Sequence, residues 1–109
     1  MQVLLLLRRP PTDAVLCLIM QMLAALSAQG QSVVGIFLFG PAVSLVQTKS
    51  TLQAKLVALA QAQHLPVYCC GRAAGEHGID VNTLEDPFIP AGYFQLLHEL
   101  KRCARVVEL

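Results

Sequence analysis

The residues best suited to chemistry in this chain are two adjacent thiols, Cys69 and Cys70, at the end of the apolar run Leu65-Pro66-Val67-Tyr68 and directly before Gly71-Arg72. Such a run reads as a short buried strand, so the pair sits where a strand hands over to the next segment. In open α/β sheets, ligands and reactive groups gather at the carboxyl ends of the strands, where turns present backbone N–H groups. Side chains alternate across a strand, which sends Cys69 and Cys70 to opposite faces; one serves a site while the other packs, and Cys70 is the expected site residue. The nucleophile would be the thiolate, whose negative charge is favoured by N–H groups at a helix start. Gly71 lets the backbone come close, and Arg72 offers a positive charge to a bound anion, including the terminal sulfur of a persulfide. The competing reading of Cys70 is a small hydrophobe that fills the strand end.

The remaining thiols and imidazoles do not form a second constellation. His64, His77 and His98 lack the C-x-x-C or H-x-x-x-H spacing that supplies half of a tetrahedral cage, so no metal is expected. A Cys69–Cys70 disulfide would close a very small strained ring. Cys17 falls inside an apolar helix and is expected in the core, and Cys103, between a helix and a closing strand, is expected to pack. There is no G-x-G-x-x-G, Walker loop or nucleophile elbow, which disfavours dinucleotide binding and serine-hydrolase chemistry.

The elements that would position the thiols follow from the hydrophobic pattern. Residues 2–7 form an uninterrupted apolar run suited to a strand buried on both faces, closed by Arg8-Arg9-Pro10-Pro11. Thr12 or Asp13 caps a helix over about 13–29, apolar nearly all round and expected to be deeply packed, with Gly30 past its end. Val33–Phe39 is a second strand, and a loop of about ten residues follows Gly40-Pro41. Ser50-Thr51-Leu52-Gln53 matches a capping box, with Leu52, Leu56 and Leu59 on one face of the next helix. Residues 67–70 are the third strand, and 73–77 make about one helical turn. Ile79-Asp80-Val81 is a minor strand or loop, and Pro87 and Pro90 flank an apolar patch at Phe88-Ile89. Tyr93, Leu96, Leu97 and Leu100 predict a helix over 91–102, before a closing strand at 104–109. Strands alternating with helices predict a small doubly wound α/β fold, a mostly parallel sheet of about five strands with helices on both faces, in one domain spanning 1–109.

Composition narrows the function classes. A net charge of +1 and a charged fraction of 14%, with the eight basic residues dispersed, argue against a nucleic-acid surface. Hydrophobic residues make up 55% of the 109 positions, more than a small monomer buries, so an oligomer is expected. Residues 14–28 have the apolar character of a signal-peptide core, but Pro10-Pro11 and Asp13 interrupt the approach and cleavage would remove a whole strand–helix unit. Gln21, Ser27 and Gln29 break the run of about 20 apolar residues that a membrane span needs. Four cysteines without regular spacing suit a reducing cytoplasm better than a secreted disulfide scaffold.

Three segments in succession, Ile36-Phe37-Leu38-Phe39-Gly40-Pro41-Ala42-Val43, Leu65-Pro66-Val67-Tyr68-Cys69-Cys70-Gly71 running to Gly78-Ile79, and Cys103-Ala104-Arg105-Val106-Val107-Glu108-Leu109, resemble the DsrE/DsrF-like sulfur-relay family, which includes TusD. The resemblance implies a parallel α/β subunit that assembles into homo- or hetero-oligomeric trimers or hexamers. It implies a cysteine that accepts sulfane sulfur as a persulfide and passes it on, with no metal or organic cofactor. The family's carrier cysteine follows the third strand several residues before a glycine, and counting back from Gly78 places it at Cys70. Cys69 then occupies the preceding strand position, and Cys103 falls where some relatives also carry a cysteine. Implied partners are a sulfur donor of rhodanese or TusA type and an acceptor protein, in tRNA thiolation or sulfur oxidation. Some members of such complexes lack the carrier cysteine and serve assembly, so a non-catalytic structural subunit is the alternative. The chain differs from its relatives in Arg8-Arg9-Pro10-Pro11, where a small glycine-containing loop is usual, and in Pro41-Ala42, where a Gly-Val pair is common.

Overall fold

A computed structural model of the chain describes residues 2–10, 12–46, 50–85, 87–103 and 105–109. Pro11 of the arginine–proline segment and Ala104 of the expected closing strand lie outside the described residues, as does the side chain of Tyr93. Five strands, β1 (Gln2–Leu7), β2 (Ser32–Leu38), β3 (Val67–Cys70), β4 (Phe88–Ala91) and β5 (Arg105–Glu108), form one sheet in the order β4-β3-β2-β1-β5. Every neighbouring pair is parallel. The helices are α1 (Asp13–Ala28), α2 (Thr51–Gln63), α3 (Gly71–Glu76) and α4 (Tyr93–Arg102).

Parallel neighbours require crossovers, and right-handed ones place α1, α2 and α3 on one face and α4 on the other. The main core cluster agrees. It joins Val3, Leu5 and Leu7 of β1 to Ile36, Leu38, Val67 and Cys69 and to the buried residues of α1, α2 and α3, and it contains no α4 residue. The alternate residues Leu4 and Phe37 are equally buried on the second face. There the Phe37 ring meets Phe39 edge-on at 6.3 Å and Tyr68 at 6.0 Å.

Local signals set the helix boundaries. The Thr12 hydroxyl accepts from the Val15 N–H at 3.1 Å, and Gly30, at φ +74°, takes the left-handed conformation past the end of α1. At the start of α2 the Ser50 hydroxyl accepts from the Gln53 N–H at 3.1 Å, but the reciprocal half of the capping box is not made. Gln53 instead donates its side-chain N–H to the Leu45 carbonyl at 2.9 Å, which ties α2 to the preceding 3-10 helix, Gly40–Val46.

Three expectations are corrected. The strand between α3 and α4 is Phe88–Ala91, whereas 81–83 form a 3-10 turn capped by Asp80. Pro90, expected only to flank an apolar patch, is accommodated within β4 because this is an edge strand, where a missing N–H is tolerated. Second, α1 is half exposed rather than deeply packed: Val15, Leu16, Ile19, Leu23 and Leu26 face the core, while Met20 is 56% exposed. Third, Cys17 lies on that outward face and is exposed, not core. An apolar helix surface does not by itself reveal how much of its circumference a partner layer covers, and here the sheet and α2 cover only one side.

Candidate functional site

Interstrand register brings the sequence-predicted thiols to the carboxyl rim of the sheet. Leu7, Leu38, Cys69 and Pro90 lie abreast across β1, β2, β3 and β4. One step further out come Arg8, Phe39, Cys70 and Ala91, of which Cys70 and Ala91 still pair. The ladder continues into this row, since the Phe39 N–H donates to the Leu7 carbonyl at 3.1 Å.

Strand alternation shows in the burial of the two cysteines, although both pack against the same core cluster. Cys69 is wholly buried in the core cluster, whereas Cys70 is only partly covered. Burial, reinforced by the adjacent Cys70 sulfur, pushes the Cys69 thiol up to about 11, so it stays protonated at neutral pH. Cys70 is the N-cap residue of α3 with φ −63° and ψ 118°, and its side chain makes no capping hydrogen bond. Strand therefore passes into helix without a loop. Cys70 stands directly before the first turn of α3, whose leading N–H groups have no carbonyl four residues earlier within the helix to bond.

The supporting residues are placed less closely than the sequence suggests. A Cβ at Gly71 would meet only the Ala91 carbonyl oxygen, at 3.9 Å, an ordinary contact, so packing does not demand glycine there. Arg72 turns away into solvent; its Nε lies 3.5 Å from Glu76 Oε1 and its side chain is 90% exposed. It can serve an anion at Cys70 only by leaving that pair. His77 is anchored to its own helix, its Nδ1 lying 2.9 Å from the Ala73 carbonyl oxygen. Among the described residues no group of three or more His, Cys, Asp or Glu side chains is gathered closely enough to hold a metal ion.

Features outside this site also carry chemistry. On the second sheet face Glu99, the one buried charged residue among those described, lies 3.7 Å from Arg102. Desolvation first, and Glu99 second, raise both Tyr68 and Cys103 above their ordinary values, with Arg102 opposing. Cys103 precedes β5 and therefore sits at the amino edge of the sheet, opposite Cys70. Cys17 opens onto an apolar groove of about 610 Å³ between α1 and α2, with Met20, Leu16 and Leu59. On the rim the Arg8 guanidinium covers the Phe39 ring at 4.6 Å and reaches Glu108 at 3.7 Å. The sequence signal for that arrangement was two arginines immediately after a buried strand; it was read above only as a strand terminator.

An all-parallel five-stranded sheet with helices around it, and a thiol at the junction of its third strand and third helix, defines a class of small α/β proteins. Within that class the chain belongs to the DsrE/DsrF-like family, whose pattern it matches over residues 1–109. Among solved structures, the crystal structure of the ychN protein from E. coli is similar at 18% identity, with all of both chains covered and a TM-score of 0.78. The protein of unknown function MTH1491 from Methanobacterium thermoautotrophicum is similar at 15% identity, covering 99% of this chain and 98% of that one, with a TM-score of 0.72. At such identities the likeness is one of fold. Comparison with curated proteins gives no match.

Proposed function

We propose that the protein is a sulfur carrier, a sulfurtransferase-like subunit that holds sulfane sulfur as a persulfide on Cys70. The observation that carries this reading is the division of the vicinal pair: in a DsrE/DsrF-like chain, Cys69 is sealed in the core with its thiol raised to about 11, while Cys70 is partly open to solvent beside a helix start. Loading is a thiol exchange. The Cys70 thiolate attacks the outer sulfur of a donor persulfide, R–S–SH; a bond forms from Cys70 Sγ to that sulfur, the donor S–S bond breaks, and its electron pair leaves as R–S⁻. An acceptor thiolate then takes the outer sulfur by the same step and regenerates the Cys70 thiolate. Neither step has a net oxidant or reductant.

The donor in this reading is a protein of rhodanese or TusA type, and the acceptor belongs to a tRNA-thiolation or sulfur-oxidation relay in the cytoplasm, where the four free cysteines remain thiols. The subunit assembles with itself or with relatives. The surface offered is apolar: Phe94 is 86% exposed on α4, and Ile89, Leu97 and Val106 are each more than a third exposed. No described helix is long and apolar enough to cross a membrane.

A second reading, a structural subunit without transfer activity, is favoured by the packing of Cys70 against the core cluster and by the Arg72–Glu76 pair. One experiment separates the two. Wild type, Cys70→Ser and Cys69→Ser are incubated with a sulfane-sulfur donor and examined by intact-protein and peptide mass spectrometry. The carrier reading expects one reducible sulfur on wild type and Cys69→Ser and none on Cys70→Ser. Failure of wild type to load supports the structural subunit, and loading that follows Cys69 overturns the site assignment.

A further inference from the structure

The segment that follows β2 forms part of the surroundings of Cys70. Phe39 stands abreast of Cys70 at the rim, and Gly40, at φ +57°, turns the chain there into the 3-10 segment Gly40–Val46. This segment packs against both β3 and α3. Its Ala42, Val43 and Leu45 are buried in the same core cluster as Cys69, Ala73 and Ala74, and Cys70 packs against that cluster. The two alanines are the buried residues of α3, and their small side chains permit close approach. Six residues are too few for a helix to stand without tertiary support. The position of α3, and of Cys70 at its start, therefore depends on this packing.

One side chain ties that segment to the helical layer. Gln53 Nε2 donates to the Leu45 carbonyl at 2.9 Å, in a partly buried bond between residues eight apart in the chain. At the third position of a helix that opens with serine, glutamine ordinarily turns back to the backbone N–H of the cap. Here the serine half of that exchange is made, the Ser50 hydroxyl accepting from the Gln53 N–H at 3.1 Å, while the glutamine side chain is directed to Leu45. The helix that carries Gln53 is well anchored. Leu56 and Ala60 of α2 are wholly buried, and Lys55 meets Asp13 of α1 at 2.9 Å. The bond thus runs from an anchored helix to the segment packed on the Cys70 junction.

We propose that Gln53 is a positioning residue for Cys70: its bond to the Leu45 carbonyl holds Gly40–Val46 against β3 and α3 and thereby sets how far the Cys70 thiol is covered. It acts through the 3-10 segment rather than on the thiol itself. Loss of the bond loosens that segment, so Cys70 gains exposure while the deeper Cys69 stays sealed. Under the carrier reading, on which its relevance to sulfur exchange rests, this contact governs how readily a donor reaches Cys70.

Two substitutions separate this role from helix capping. Gln53→Glu keeps the capping-box partner and suits the helix start, but its carboxylate cannot donate to the Leu45 carbonyl. Gln53→Lys keeps a donor for that carbonyl, but loses the capping partner and places a positive charge in the first turn. Full-length wild type and both variants are labelled with iodoacetamide, each cysteine is followed by peptide mass spectrometry, and stability is measured by urea unfolding. Cys70 should react about two- to tenfold faster in Gln53→Glu, the opening expected from the net worth of one hydrogen bond, and at the wild-type rate in Gln53→Lys. Cys69 should stay slow and Cys17 unchanged in both. An unchanged or slower Cys70 in Gln53→Glu, equal acceleration in the two variants, rates that follow the urea midpoints, or Cys69 accelerating alongside Cys70 would each overturn the proposal. Loading from a small sulfane-sulfur donor should follow the same order, and absence of loading with the alkylation order intact would overturn the carrier reading alone.

Discussion

The division of labour between Cys69 and Cys70 can be tested without any sulfur donor, through their alkylation rates in the folded protein. At pH 7.5 a thiol raised to about 11 is ionised in about one molecule in 3,000. An ordinary thiol near 9 is ionised in about one in 30, a hundredfold difference. The more basic thiolate is the better nucleophile by about eightfold for a two-unit difference, so the net penalty on Cys69 from ionisation is about tenfold. Burial adds to this, because Cys69 has no accessible surface and reacts only when β3 opens locally. Iodoacetamide labelling read residue by residue should therefore show Cys69 at least about tenfold slower than an unstructured cysteine peptide, with exposed Cys17 as an internal reference and Cys70 reacting ahead of Cys69. In Cys70→Ser the slow reaction of Cys69 should persist, since burial is the larger cause of its shift. Labelling of Cys69 at the peptide's rate, with Cys70 protected, would mean that β3 presents its opposite face and would refute the site assignment.

Stability should fall in alkali. Cys69 holds its proton to about 11 when folded but releases it near 9 when unfolded, so between those values the native state binds more protons and the free energy of unfolding drops as pH rises. Over the window the loss is at most about 2–3 kcal/mol; Cys69→Ala should flatten the slope in urea melts at pH 8 and 10.5, while raised Tyr68 and Cys103 leave part of it. Gly35→Ala should cost about 1–3 kcal/mol by chemical denaturation, because a Cβ there would stand 3.0 Å from Tyr68 Cε2 and 3.3 Å from the Pro66 carbonyl oxygen. His64 ends α2 in the left-handed conformation at φ 54°, so His64→Gly should stabilise by about 0.5–1 kcal/mol, visible as a higher midpoint in thermal melts. Sedimentation should show wild type as an oligomer that Phe94→Glu shifts toward smaller species; a monomeric wild type would remove the assembly part of the proposal.

The hydrophobic pattern made most of this fold legible, for a specific reason. β1 and β2 are central strands buried on both faces, and such strands are written as unbroken apolar runs. Edge strand β4 was hidden because Pro87 just before it and Pro90 within it flank its short apolar patch and its burial is uneven, with Phe88 and Ala91 covered and Ile89 and Pro90 exposed. The deeper burial of Cys69 than of Cys70 was legible as the alternation of a short strand. The outward face of α1, with Cys17 and Met20, was illegible because hydrophobicity records what a residue tolerates rather than what covers it. The Arg8–Phe39–Glu108 arrangement was illegible for another reason: it joins three residues far apart in the sequence that only register and strand order bring together.

The carboxyl rim presents Cys70 and the Arg8–Phe39–Glu108 cluster in different ways because its strands end differently. β3 enters α3 with no intervening residue, which fixes Cys70 at the helix start, and the 3-10 segment Gly40–Val46 packs against both elements. β1 instead leaves through Arg8-Arg9-Pro10, where Pro10 has no N–H with which to continue a ladder and the Arg8 guanidinium is held by Phe39 and Glu108. The first arrangement suits the proposed exchange with a partner's sulfur, since Cys70 is the less buried thiol of the pair.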